Sequence, residues 1–339
     1  MSEIKALFQE RLDRLKVRCN LCSHRCILND GQTGICGTRK NRAGDLYVLT
    51  YGNIIAENVD PVEKKPLYHF IPGTRTFSIA SPGCNFRCSF CQNWRISQIG
   101  ENQLIPHEYL NEYEPATIVA GAKRHLCKTI AYTYSEPTVF YEYMINVSKT
   151  ALDESLKNVV VSNGYMSADC VAELNDYIHG YNIDLKSFSD RFYRKNCGGR
   201  LQPVLDNIIA ISLNNNWLEI TTLIIPGEND SREELNDIAE FIAGVSKDIP
   251  WHISRFFPNY LFKKLSPTEI TVLQEAREIG FKNGLKYIYL GNAGLESSTN
   301  CPSCGLKLIN RIGFNVLTNV LGKSSECPEC GERIAGVWK

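Results

Sequence analysis

The sequence predicts an α/β fold, a partial (β/α)6-type or fuller parallel barrel, with one small cysteine-rich region before it and another after it. Three observations lead there. From about residue 75 to 291, short β-branched or apolar runs alternate with helical stretches, and strand alternating with helix argues for a parallel sheet that right-handed crossovers wrap around itself. The 14 cysteines are spread unevenly, with eleven in three tight groups and three alone. The 339 residues, 43% hydrophobic with 24 Gly and 14 Pro, can bury a core without a disulfide framework.

Charge narrows the partners. The 37 basic and 37 acidic residues cancel, so no global field favours nucleic acid or an anionic membrane, and recognition has to be local. The start, MSEIKALFQERLDRLKV, is charged throughout and lacks a signal-peptide stretch, and no run approaches the ~18 apolar residues of a membrane span. A reducing cytoplasm is the expected location. There, closely spaced cysteines read first as metal or cluster ligands.

Taken in order, residues 2–16 place Ile4, Leu7, Phe8, Leu12 and Leu15 at three- and four-residue steps, which predicts an amphipathic helix. Cys19-x2-Cys22-x3-Cys26-x9-Cys36 follows, with His24 inside it and Gly31, Gly34 and Gly37 punctuating the loop. The predicted barrel strands are Thr76–Ala80, Thr129–Tyr132, Asn158–Ser162, Tyr181–Leu185, Trp217–Ile224, Trp251–Ser254 and Lys286–Leu290. Helices are expected near 116–126, 137–155, 168–178, 202–215, 231–245 and 267–280. Two CPxCG knuckles, Cys301–Cys304 and Cys327–Cys330, enclose the apolar stretch Leu306–Val320 and close the chain. The expected divisions are 1–70, 71–295 and 296–339.

The chemistry should sit at the carboxyl ends of the strands. Directly after the first barrel strand lies Cys84-Asn-Phe-Arg-Cys88-Ser-Phe90-Cys91. Three thiolates at this spacing can hold three irons of a four-iron cube and leave the fourth open, whereas a closed cluster takes four cysteines. A zinc site completed by a distant residue is the competing reading of the residues alone.

With an aromatic before its third cysteine, this segment resembles the signature of radical S-adenosylmethionine (SAM) enzymes. The resemblance implies a [4Fe–4S] cluster on Cys84, Cys88 and Cys91 whose open iron chelates the amino and carboxylate groups of SAM. It also implies reductive cleavage to methionine and a 5′-deoxyadenosyl radical that abstracts hydrogen from a substrate. Arg87 and Asn85 are expected to shape the loop. Tyr134-Ser135-Glu136-Pro137 is similar to the family's Gly-Glu-Pro motif, which holds the methionyl ammonium, although Ser-Glu-Pro also serves as a helix start.

Ser162-Asn163-Gly164 and Asp184-Leu-Lys186 end the next strands. Asp-x-Lys here is similar to the activating enzymes of glycyl-radical proteins, and a structural ion pair is the plainer reading. Thr221, Thr222, His252 and Arg255 are expected to face the same mouth, His252 matching a ribose contact in some relatives. The end of the last strand, Tyr289-Leu-Gly291-Asn292, is expected near the adenine.

The flanking groups carry four thiolates each, which favours closed, structural sites. The C-terminal knuckles predict a zinc ribbon. Its loop has only Lys307, Arg311 and Lys323 as cations, which argues against nucleic acid. The N-terminal four could hold zinc or an auxiliary iron–sulfur cluster, with His24 supporting a ligand or on the surface. Cys127, Cys170 and Cys197 stand alone, and Cys197 lies in a glycine-rich loop that could approach substrate.

The N-terminal block, the Tyr134–Pro137 and Asn182–Lys186 segments and the terminal Gly336-Val-Trp338 resemble the AmmeMemoRadiSam-system subgroup, related to pyruvate formate-lyase activating enzymes. This implies Memo- and AMMECR-family partners and an electron donor such as ferredoxin or flavodoxin. A glycyl-radical activase acting on a partner protein, and a zinc-binding scaffold or nucleic-acid binder without redox role, are the alternative functions.

Overall fold

The computed structural model describes residues 4–99 and 112–339. Its centre is an eight-stranded sheet of β1 (Ala56–Pro61), β2 (Arg75–Ala80), β3 (Thr129–Tyr132), β4 (Lys157–Ser162), β5 (Gly180–Asp184), β6 (Trp217–Ile224), β7 (Trp251–Arg255) and β8 (Ile288–Gly291). The strands lie side by side in chain order, with β1 and β8 at the two edges, so the barrel is partial. All neighbours from β2 to β8 pair in parallel. The β1 strand pairs antiparallel with β2 and was not expected from the sequence. Its residues Glu57, Asn58 and Val59 are exposed, so it lacks the buried run that marks its neighbours.

The strands after β1 are mostly buried because both faces of the sheet are covered, and in β3 Thr129, Ile130, Ala131 and Tyr132 are all buried. The crossovers are α1 (Pro115–Arg124), α2 (Tyr141–Asp153), α3 (Ala168–Leu174), α4 (Gln202–Ser212), α5 (Arg232–Val245) and α6 (Ile270–Lys282). Ser167 and Ser231 cap α3 and α5, each side chain accepting an N–H of the first turn. Among the described residues, no helix is long and apolar enough to cross a membrane.

The expected helix over residues 2–16 is overturned from residue 4 onward, residues 2 and 3 lying outside the described residues. Ile4–Lys5, Gln9–Arg11 and Val17–Cys19 are short strands, and Phe8, Arg14 and Leu15 have left-handed backbone (φ 55°, 57° and 59°) that interrupts any helix. Tertiary contacts override the local periodicity. Ile4 pairs with Val48, the Leu7 N–H donates to Glu142 Oε1 at 2.7 Å, and the Phe8 ring meets Tyr141 edge-on at 5.0 Å. The N-terminal region is thus two three-stranded antiparallel sheets, anchored on α2 by the buried Arg39–Glu142 ion pair.

Beyond the barrel, Thr299–Asn300, Lys307–Ile312 and Asn315–Asn319 form a three-stranded antiparallel sheet. The apolar stretch between the knuckles is its hairpin. It shares a core with the barrel's end, where Tyr68, Tyr287 and Tyr289 pack with Leu308, Ile309 and Trp338. Arg311 is fully buried there, donating to Thr299 Oγ1 (2.9 Å) and Tyr68 O (2.7 Å).

Candidate active site

The loop after β2 turns sharply at Gly83, whose φ is +104°. A Cβ there would sit 2.5 Å from Thr38 Cγ2 and 2.9 Å from Cys36 O, so only glycine lets the loop lie against the N-terminal region. The loop is then pinned from several sides. Arg87 donates to Cys84 O at 2.8 Å and to Ile35 O, which is the shaping role expected of it. The Arg87 and Ser89 N–H groups donate to Cys197 O (2.7 Å) and Asn196 O (2.9 Å).

Cys84, Cys88 and Cys91 line one cavity of about 310 Å³ at the carboxyl rim of β2–β5. Ser135, Glu136, Ser162, Asn163, Asp184 and Lys186 line it too. The Phe86 N–H donates to Cys84 Sγ at 3.3 Å, Ser97 Oγ is 3.2 Å from Cys91 Sγ, and Asn163 Nδ2 is 3.8 Å from Cys84 Sγ. Contact with the Cys197 thiol, together with burial, pushes the Cys88 thiol well above its usual range. Burial does the same to Cys84 and raises Cys91. Buried thiols ionise when a cation takes the place of their protons, which is the behaviour of metal ligands.

Glu136 is a hub. Its Oε1 accepts from Thr138 N (3.0 Å), Thr138 Oγ1 (2.5 Å) and Ser162 Oγ (2.8 Å), and its Oε2 accepts from Asn163 N (2.9 Å). The one carboxylate caps the turn Pro137–Phe140 and ties the ends of β3 and β4 together. Burial still raises its pKa against these bonds. Tyr134, just before it, has left-handed backbone at φ 65°, an arrangement that costs energy and tends to occur at functional sites.

Lys186 Nζ is 2.7 Å from Asp184 Oδ2. Burial works against its charge, but Asp184 and the sulfurs of Cys88 and Cys197 outweigh it and hold the ammonium well above the usual lysine range. A second cation, Lys65, also lines the cavity. It is bound to Asp60 at 2.7 Å and lies 4.4 Å above the Tyr134 ring. Burial lowers it to about 8 despite that carboxylate. No sequence motif marked Lys65 or Lys64, which reach the cavity only because β1 pairs with β2.

Of the predicted residues, Thr221, Thr222, His252, Arg255, Tyr289, Gly291 and Asn292 do not line this cavity. His252 Nε2 is 2.6 Å from Glu219 Oε2, with its ring against Tyr68 and Tyr289. Thr221 Oγ1 donates to Asn182 Oδ1 (2.9 Å), Thr222 Oγ1 to Leu185 O (2.9 Å), and Arg255 Nε to Thr268 O (2.6 Å). Gly291 and Asn292 line a separate hollow with Tyr68 and Phe314. Tyr289 Oη lies 2.6 Å from His69 Nε2 and 2.8 Å from Thr299 Oγ1. Cys127 and Cys170 are buried, as expected of lone cysteines. Cys197 is fully buried and touches Cys88.

At the C-terminus the sulfurs of Cys301, Cys304, Cys327 and Cys330 lie within 4.8 Å of one another, close enough to hold a metal ion. Among the described residues they are the set of cysteines brought to that spacing.

A parallel α/β half-barrel with a three-thiol loop at its carboxyl rim defines a class of cofactor-dependent enzyme. Residues 78–242 match the Radical SAM superfamily. The chain is 41% identical over 334 residues to the uncharacterized protein MJ0808 of Methanocaldococcus jannaschii, covering 97% of this chain and 98% of that one. It is 26% identical to a second uncharacterized protein of that organism, MJ0674, over 80% of this chain and 76% of that one. A radical SAM methyltransferase from Sphaerobacter thermophilus shares the fold at a TM-score of 0.51 and 15% identity, over 66% of this chain and 68% of that one. The chain carries a radical SAM superfamily domain over residues 78–242.

Proposed function

We propose that the chain cleaves SAM reductively at the β2–β5 rim, with a [4Fe–4S] cluster held by Cys84, Cys88 and Cys91. The observation that carries this reading is the convergence of three sulfurs from one loop on a cavity that Glu136, Asn163, Asp184 and Lys186 also line. The donor set fits the group. Three thiolates leave one iron free for a ligand, and these sulfurs are not drawn to single-ion spacing. The bound cluster supplies one electron that splits SAM into methionine and a 5′-deoxyadenosyl radical able to take hydrogen from a substrate.

The chain's own part is orientation and charge. Glu136 presents acceptors suited to the methionyl ammonium, and it fixes Ser162 and the Asn163 N–H beside it. Lys186 and Asp184 sit together at the next strand end, a cation near the thiolates and a carboxylate to balance it. Ser135 Oγ donates to Ser81 O at 2.5 Å and holds the motif against the cysteine loop. The substrate, an electron donor of the ferredoxin or flavodoxin class, and Memo- or AMMECR-family partners belong to the same proposal, resting on the sequence resemblance.

The C-terminal four cysteines are assigned zinc. The Cys301–Cys330 and Cys304–Cys327 sulfur pairs are 3.6 and 3.7 Å apart, against the roughly 3.8 Å edge of a tetrahedron with Zn–S bonds of about 2.3 Å.

Anaerobic reconstitution tests the reading. Wild-type protein should show a reducible four-iron electron paramagnetic resonance (EPR) signal that changes shape when SAM is added. A cluster signal indifferent to SAM would contradict the open iron.

A further inference from the structure

Cys19 ends the strand Val17–Cys19, Cys22 and Cys26 lie in the connection that follows it and Cys36 in a later turn, yet all four line one small cavity. Three local features bring them there. The Cys19 N–H donates to Cys26 O at 2.9 Å, Cys22 bridges to Met166 of the barrel, and Cys36 sits in the turn before the strand Arg39–Arg42. The two four-cysteine groups differ in spacing. In the C-terminal group the paired sulfurs are 3.6 and 3.7 Å apart and all four lie within 4.8 Å of one another, whereas no three of the N-terminal sulfurs come that close.

A single zinc ion draws four thiolates to within about 4 Å of each other. A cube of iron and sulfide spaces its thiolates wider, because each sulfur binds its own corner. The groups around the cavity suit such an acceptor-rich, negatively charged body. Asn85 lines it and carries a buried Nδ2 with no partner. Thr38 Oγ1 lies 3.2 Å from Cys36 Sγ, and the fully buried Arg39 has Nη1 3.9 Å from Cys19 Sγ. Leu21, Leu28, Ile35 and Val139 give the wall its apolar part, alongside His24 and Thr138.

We infer that Cys19, Cys22, Cys26 and Cys36 hold a second [4Fe–4S] cluster. Four thiolates occupy every iron, so the group binds no substrate and exchanges single electrons only. It adjoins the SAM site through Asn85, which follows Cys84 and accepts from Asn163 Nδ2 at 2.7 Å. His24 reinforces the junction, its Nε2 2.7 Å from Asn85 O. Occupancy of this second site does not depend on the reading of Cys84, Cys88 and Cys91.

The test is iron, sulfide and zinc content of anaerobically reconstituted wild type and of the triple variant Cys84→Ala, Cys88→Ala, Cys91→Ala. Two clusters predict roughly eight irons in wild type and roughly four in the triple variant, the latter with a dithionite-reducible EPR signal that SAM does not alter. Roughly four irons in wild type, with about two zinc ions per chain, would overturn the inference while leaving the SAM site standing. Should the triple variant not fold, the wild-type iron-to-zinc ratio decides alone, near eight to one if the inference holds and near four to two if it fails. Roughly four irons in wild type, all retained in the triple variant, would uphold the second cluster and sink the first.

Discussion

Asn163 Nδ2 donates to Asn85 Oδ1 at 2.7 Å and lies 3.8 Å from Cys84 Sγ. One amide just past the end of β4 thereby joins the cysteine loop to the rim and places a donor beside a sulfur of the proposed cluster. Donors to cluster sulfurs raise the reduction potential. Asn163→Ala should lower the midpoint potential of the SAM-responsive signal by tens of millivolts with its iron content kept, as read by an EPR redox titration. An unchanged potential would remove Asn163 from the site's electrostatics.

Glu136 binds four protein donors from three residues, so its replacement acts on orientation more than on cluster assembly. In Glu136→Gln the carboxylate charge is lost and one oxygen becomes a donor facing donors. SAM affinity should fall by about tenfold or more, given ~1.5–3 kcal/mol for a hydrogen bond to a charged group. Iron content should stay at the wild-type level. Isothermal titration with SAM under anaerobic conditions measures it, and equal affinity would exclude the ammonium-binding role.

Arg39 and Glu142 form an ion pair at 2.5 Å with both side chains buried. Arg39→Met leaves a buried carboxylate uncompensated and should cost about 3–5 kcal/mol in denaturant unfolding. The double variant Arg39→Met, Glu142→Met should recover much of that loss. If the two single losses simply add, the pair is not what anchors the N-terminal sheets.

His69 links the barrel to the terminal ribbon. Its Nδ1 is 2.7 Å from Ala335 O and its Nε2 2.6 Å from Tyr289 Oη, and burial lowers its pKa from about 6.5 to about 4. Between those values the unfolded chain carries the proton and the folded one does not, so stability rises with pH across the window and is lost as pH falls toward 4. His69→Gln should flatten the stability profile between pH 4 and 6.5. A slope equal to wild type would show that other groups set the acid sensitivity.

How far the sequence could be read follows from burial. The barrel strands were legible because they are mostly buried and rich in apolar and β-branched residues, and the predicted bounds of Thr129–Tyr132 and Trp217–Ile224 match the structure. The three-cysteine loop and the rim residues Ser135, Glu136, Ser162, Asn163, Asp184 and Lys186 were legible because each follows a readable strand. Residues 2–16 misled because Ile4 and Phe8 meet the body singly, while Leu7 and Leu15 point to solvent. His252 misled because a strand end marks height along the barrel and not which neighbour a side chain meets; Glu219 takes it inward. Lys65 and the contact of Cys197 with Cys88 depend on tertiary pairing that carries no local pattern.

The central claim is that Cys84, Cys88 and Cys91 support reductive cleavage of SAM. The most direct measurement is formation of 5′-deoxyadenosine and methionine by anaerobically reconstituted protein given SAM and dithionite. Wild type should form both in equal amounts, and Cys88→Ala should form neither while keeping its zinc. Cleavage undiminished in Cys88→Ala would contradict the claim.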